Sequence, residues 1–249
     1  MIPPIVCISL ADAEQRRAFM AGQLEKLGLP YRFLDAIRPD LSQGWPASYQ
    51  RKQRLARHGH DLTQGEIGCF LSHRQAWQEF LAGSDPFLCV LEDDVELQPD
   101  FAEGLKALCA HAGEWDIVRL YGVFRRESAK LAELMPGRWL VDYFDQPRGT
   151  QGYVLNRVAA ERLLQHTEKM SCAIDDAIDR GWEHKLRLYG VEPYLVVEQL
   201  QHASTIGSRK RARLPLWRRL VRELHRGIGD LRKQRWVMGK RVRYAFLRK

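Results

Sequence analysis

The sequence predicts an α/β domain over residues 1–208, followed by a basic, amphipathic helical tail over residues 209–249. Three observations lead there. Short β-branched apolar runs alternate with segments of helical periodicity, the pattern of a sheet flanked by helices. The most strand-like run ends in three consecutive acids, Glu92-Asp93-Asp94. The charge is divided by position. Residues 209–249 hold sixteen Lys/Arg against Glu223 and Asp230, a net +14, which leaves −6 on the body of a chain whose total is +8.

The elements follow in order. IVCISL (residues 5–10) reads as a buried strand. Phe19, Met20, Leu24 and Leu27 recur at helical spacing within residues 12–27, and Gly28 supplies the stop. YRFLDA (31–36) is a second strand, so the chain opens as a parallel strand–helix–strand unit. Residues 38–61 are polar and rich in Pro, Gly and Arg, and predict a long loop. Ile67, Phe70, Leu71, Trp77, Phe80 and Leu81 then share one side of a helix from about 65 to 81, with Thr63 or Gln64 as its cap. Asp85-Pro86 ends that pattern, and FLCVL (87–91) is the third strand. WDIVRLYG (115–122) predicts another strand. GTQGYVLNRVAAERLLQH (149–166) predicts a turn, a strand and a helix, and YLVVEQ (194–199) a last strand.

Length and composition bound the function. The chain has 249 residues, 45% of them hydrophobic, which excludes wholesale disorder. No run approaches the ~18 apolar residues that span a bilayer, so an integral membrane protein is not expected. MIPPIVCISL lacks the charged segment and cleavage site of a signal peptide. Cys7, Cys69, Cys89, Cys109 and Cys172 are scattered and odd in number, which argues for free thiols in a reducing cytosol.

Crowded carboxylates repel unless a cation or water screens them. In open α/β sheets ligands bind beyond the carboxyl ends of strands. Side-chain alternation turns Glu92 and Asp94 to one face and Asp93 away, which suits a hard cation such as Mg²⁺ or Mn²⁺ that shares phosphate oxygens with a substrate. A solvated acidic turn is the plainer alternative. In TQGEIGCFLSH, Gly65 and Gly68 leave room for a ligand at the helix amides, and Glu66, Ser72 and His73 add polar groups to an apolar helix. A hydrogen-bonded structural histidine is the alternative for His73. Arg16 and Arg17 follow the first strand within reach of a phosphate or an acidic neighbour. Asp35, at the end of the second strand, is placed to bond a ribose or base.

Taken in order, IVCISLADAEQRR, YRFLDAI, LTQGEIGCFLSHRQAW, FLCVLEDDVEL, GTQGYVLNRVAAERLL, AIDDAI and EPYLVVEQ with Ser204-Thr205-Ile206 resemble glycosyltransferase family 25, the lipopolysaccharide/lipooligosaccharide transferases. The likeness runs over residues 4–207. It implies a GT-A-like nucleotide-sugar transferase domain with a Rossmann-like mixed sheet. The implied activity is transfer of a sugar, commonly galactose from UDP-galactose, to a growing glycan. It also implies a divalent ion, Mn²⁺ or Mg²⁺, on the donor diphosphate. The motif here is Glu92-Asp93-Asp94 and not a literal Asp-x-Asp, which leaves Glu92 open to a role on metal, on ribose or on neither, and makes Asp94 the stronger metal ligand. Ser9, Leu10, Arg16, Arg17, Asp35, Gly65, Glu66, Ser72, His73 and Asp93 are the implied substrate-binding residues. Gln151 and Tyr153 fall on the acceptor side. His202 is a possible late metal ligand, although a surface histidine is the simpler reading.

An inverting reaction needs a base on the acceptor hydroxyl. Asp175 in SCAIDDAIDR is the candidate, with Asp176 beside it as the alternative. Acids favoured by a helix dipole are the structural explanation of both. In the tail, Pro215 opens a helix, and Leu216, Trp217, Leu220, Val221, Leu224, Ile228 and Leu231 share an arc of ~140°. Arg218, Arg219, Arg222, Arg226 and Lys233 lie opposite, with Trp236, Tyr244 and Phe246 further on. That pattern predicts contact with an anionic membrane surface, hence a cytoplasmic enzyme peripheral to the inner face of the membrane and a lipid-linked acceptor. Packing on the acidic body is the alternative. The competing functions are a metal-dependent nucleotide-sugar or phosphodiester hydrolase and a nucleic-acid-binding protein acting through the tail. The latter leaves GEIGCFLSH and LEDD unexplained.

Overall fold

The computed structural model describes residues 1–199 and 216–247. The first elements are β1 (Ile5–Ser9), α1 (Glu14–Lys26), β2 (Tyr31–Asp35), α2 (Arg51–His58), α3 (Gln64–Ala82), β3 (Phe87–Glu92), β4 (Val95–Leu97) and α4 (Phe101–Ala110). They are followed by β5 (Ile117–Arg119), β6 (Ser128–Met135), β7 (Arg138–Tyr143), β8 (Gly152–Asn156) and α5 (Arg157–His166). The chain continues through α6 (Ile174–Ile178), α7 (Gly181–His184), β9 (Leu188–Glu192), β10 (Val196–Glu198) and α8 (Leu216–Leu247).

Eight strands form one mixed sheet in the order β2-β1-β3-β8-β5-β9-β7-β6. β1 is parallel to both β2 and β3, as the opening unit predicts. Beyond β3 the sheet becomes mixed, because β8 runs antiparallel to β3 and to β5. The fold class is therefore the predicted α/β one.

Period-two alternation builds both cores. Val6, Ile8, Leu88 and Val90 face α3 and α5, packing on Phe70, Trp77, Ala159 and Leu163. Ile5, Cys7, Cys89 and Leu91 face the opposite layer, with Met20 and Leu24 of α1 and Phe101 and Leu105 of α4. A central strand buried on both faces reads as a continuous apolar run, which is why residues 5–10 and 87–91 are legible.

Other segments depart from the sequence reading. The predicted loop 38–61 contains a short 3₁₀ turn (Leu41–Gln43) and α2. RKQRLARH has no apolar stripe; its buried residue is Arg54, whose guanidinium reaches the His60 carbonyl at 3.2 Å. The β6–β7 hairpin turns at Pro136-Gly137, where Gly137 takes φ +80°. YLVVEQ yields a strand, but β10 pairs with β4 in a separate two-stranded sheet.

His202, Ser204, Thr205, Ile206 and Pro215, with the tail segments 209–215 and 248–249, lie outside the described residues, as do the side chains of residues 216–226, 228 and 229, on which the predicted apolar arc and the arginines opposite it largely rest. The tail does form a helix, α8, of 32 residues. Its C-terminal half lies on the body. Lys240 Nζ is 2.5 Å from Asp142 Oδ1 and 2.9 Å from the Tyr143 carbonyl, and the Tyr244 hydroxyl donates to Asp142 Oδ2 at 2.9 Å. Lys233–Asp145 and Arg241–Glu127 add ion pairs of 2.7 and 2.6 Å. Among the described residues, no helix is long and apolar enough to cross a membrane.

Candidate active site

Ser9, Asp35 and Glu92 are the last residues of β1, β2 and β3, three neighbouring parallel strands. Their carboxyl ends form the edge where open sheets bind ligands. Arg17 braces this edge: its Nε donates to the Leu10 carbonyl at 3.0 Å and its Nη2 to the Ser9 carbonyl at 2.9 Å. It also pairs with Asp35 and lies 5.0 Å over the Phe33 ring. Asp93 is turned inward, where Ser9 Oγ donates to its Oδ2 at 2.6 Å and Arg16 Nη1 to its Oδ1 at 3.0 Å. Both of its oxygens are thereby engaged.

Glu92 and Asp94 have different surroundings. The Trp77 indole donates to the Tyr153 hydroxyl at 2.8 Å, and that hydroxyl in turn donates to His73 Nδ1 at 2.8 Å. This leaves His73 Nε2–H to donate to Glu92 Oε1 at 3.3 Å, with Thr150 Oγ1 on the same oxygen. Burial pushes the Glu92 carboxyl up, but the hydrogen bonds from His73 and Thr150 outweigh it and hold the group below its ordinary range. Asp94 has no such support. Burial, then the charges of Glu92 and Asp93, push its carboxyl up to about 7 against the pull of Arg16, and Glu198 adds a further negative charge. Its Oδ1 is buried with no hydrogen-bond partner among the described residues. An orphaned carboxylate oxygen beside a second carboxylate is a donor set that fits a hard divalent cation.

Asp175 and Asp176 occupy the first turn of α6. Burial, then the charge of Asp176, raises the Asp175 carboxyl, opposed by Arg119 and Arg148. Asp176 pairs with Arg148 at 3.7 Å. Asp179, which pairs with the buried Arg119, is pushed up to about 6, chiefly by burial. The charges of Glu92, Asp175 and Asp94 all act on the Cys69 thiol, so the strand edge and the start of α6 are neighbours.

Several predicted ligands serve the scaffold. Glu66 completes a capping box with Thr63: the Thr63 N–H donates to Glu66 Oε2 and the Glu66 N–H to Thr63 Oγ1. Ser72 is fully buried, accepting from the Ile37 N–H and donating to the Gly68 carbonyl. A Cβ at Gly68 would lie 2.3 Å from the Ile37 carbonyl oxygen, so this glycine admits the chain after β2 and not a ligand. Gly65 is exposed on the first turn of α3. Tyr153 is buried on the α3 side of the sheet, where its hydroxyl contacts His73 Nδ1. Gln151 Oε1 is buried without a partner among the described residues, and the Gln151 carbonyl accepts from the Glu92 N–H.

Sequence reasoning missed Thr150, Arg119, Arg148 and Glu198. Arg119 carried a readable signal, an arginine inside the apolar strand run WDIVRLYG. Thr150 and Glu198 carried none, because their partners are remote in the chain.

The family model described as "Glycosyltransferase family 25 (LPS biosynthesis protein)" matches residues 2–178. The chain is 27% identical to the lacto-N-neotetraose biosynthesis glycosyltransferase LgtE of Neisseria meningitidis serogroup B, across 97% of this chain and 95% of that protein. It is 30% identical to the inactive glycosyltransferase 25 family member 3 of Mus musculus and 29% identical to procollagen galactosyltransferase 1-A of Xenopus laevis. Each of these two alignments takes in 64% of this chain and 28% of the other protein.

Proposed function

This chain belongs to glycosyltransferase family 25, and we propose that it transfers galactose from UDP-galactose, with inversion, to a lipooligosaccharide-type glycan, using a divalent cation on the donor. One relative is named inactive, so the catalytic reading rests on the site. The observation that carries it is Asp94, a carboxyl raised by neighbouring negative charge with one buried oxygen unpartnered. Asp94 and Glu92 would hold Mn²⁺ or Mg²⁺. Bound there, the ion supplies Lewis-acid neutralisation of the charge that develops on the departing diphosphate.

This chain's residues do the rest. His73 and Thr150 hold Glu92 in one orientation, and Ser9 with Arg16 holds Asp93 out of the way. Asp175 accepts the proton of the acceptor hydroxyl. Its raised carboxyl lies closer to neutrality than an ordinary aspartate, which improves a general base. Attack from the face opposite UDP then inverts the anomeric centre.

The tail fits a membrane-side acceptor. On α8, Leu231, Met238, Val242 and Phe246 are exposed and share an arc of about 80° at 100° per residue. Trp236, Lys240 and Tyr244, which touch the body, lie opposite. Arg235 lies within that arc and further basic residues flank it, a mix that suits an anionic bilayer and supports a peripheral position on the cytoplasmic face.

The test is a panel of UDP-sugars in thermal-shift and transfer assays, with Mn²⁺ or with EDTA. UDP-galactose is expected to raise the melting temperature only with the metal, and to yield a β-linked product from an α-linked donor. Release of free galactose at the same rate without acceptor would instead establish a hydrolase.

A further inference from the structure

We propose that Cys69, His73 and Glu92 form a second metal site, of the borderline-soft kind that takes Zn²⁺. Cys69 and His73 stand four residues apart on α3 and so project from one helix face, towards Glu92 at the end of β3. The thiol sulfur, an imidazole nitrogen and a carboxylate oxygen lie within 4.8 Å of one another. Zinc bonds of about 2.0–2.3 Å in a tetrahedron set ligands about 3.3–3.8 Å apart. His73 Nε2 and Glu92 Oε1 are already at 3.3 Å, so the site closes with a small rotation of Cys69, which is partly exposed.

The surroundings are those of a metal site. Tyr153, fixed by Trp77, contacts the far imidazole nitrogen at 2.8 Å, and Thr150 bonds the carboxylate. Such outer contacts orient metal ligands. Three protein ligands leave a fourth position for water, which matches an open zinc site and not a closed structural one. Thiolate and imidazole select zinc, whereas the oxygens of Asp94 and Glu92 select Mn²⁺ or Mg²⁺. On binding, the Cys69 S–H bond breaks, a sulfur–zinc bond forms and the proton leaves to solvent. The imidazole proton moves from Nε2 to Nδ1, and the Tyr153 O–H turns away so that its oxygen accepts from Nδ1–H as it does from the Trp77 indole. No electron changes hands. Because Glu92 serves both sets, zinc here withdraws a ligand from the donor cation and inhibits transfer; that consequence alone rests on the transferase reading.

Co²⁺, which reports its own ligands spectroscopically, tests the site on the full chain after chelation. One equivalent is expected to give a thiolate-to-cobalt band and tetrahedral ligand-field bands, which Zn²⁺ bleaches. Cys69→Ser should lose the thiolate band and weaken zinc uptake by about tenfold or more. Cys109→Ser, altering the other partly exposed thiol, should leave both unchanged. Identical cobalt spectra for wild type and Cys69→Ser, or no thiolate band in wild type, would overturn the site. Asp94→Asn separates the two readings: it should abolish Mn²⁺-dependent UDP-sugar binding and keep the cobalt band.

Discussion

At Asp94, burial and the charges of Glu92 and Asp93 act against ionisation, and no internal hydrogen bond offsets them at Oδ1. Between its ordinary value of 3.8 and about 7 the folded chain holds this proton more tightly than the unfolded chain. Folding stability from this group is therefore present at low pH and lost as pH rises through that window. Asp94→Asn removes the repulsion. Its melting temperature should exceed wild type by about 2–4 °C at pH 8 for each kcal/mol relieved, and the gain should shrink towards pH 5. Equal differences at both pH values would show that Asp94 is not the repelled group. The same variant should lose metal-dependent binding of UDP-galactose. Asp175→Asn keeps the shape but cannot take a proton. Steady-state kinetics should show kcat lower by about 10²–10⁴-fold with the donor KM little changed; near-normal kcat would move the base to Asp176.

The α3 helix concentrates the site. Its capping box sets the first turn, Gly68 lets the chain after β2 approach, and Ser72 and His73 project inward one turn later. Gly68 and Ser72 both answer to α3 pressing against residue 37. Gly68→Ala forces a methyl against the Ile37 carbonyl and should cost about 1–3 kcal/mol, read as a lower calorimetric melting temperature. An unchanged transition would mean that the chain after β2 yields freely. The glycines were legible in GEIGCFLSH as a close approach. Whether a ligand or the chain itself made that approach was not, because periodicity describes one helix and not its neighbour.

Over the whole molecule, charge is separated into a −6 body and a +14 tail. Part of that tail is bound internally, through Asp142, Asp145 and Glu127. The body contacts leave the opposite face of α8 exposed, so packing on the body and the proposed membrane contact are compatible. Changing Met238, Val242 and Phe246 together to Gln spares the body-facing residues. It should sharply reduce co-sedimentation with anionic vesicles while leaving the melting temperature nearly unchanged. Undiminished sedimentation would reject the apolar stripe as the membrane contact.

The sequence by itself determined the α/β class, the buried central strands, the acidic triplet at a strand end, the division of charge and the family resemblance. Each is a property of residues close together in the chain. Only the tertiary structure decided which acid is satisfied and which is not. Ser9 and Asp93 meet across 84 positions, Thr150 and Glu92 across 58, and Lys240 and Asp142 across 98. Hydrogen bonds and burial at that range come from the stacking of layers. Composition and period describe each layer alone, so they place carboxylates at an edge without saying which of them is left to a cation.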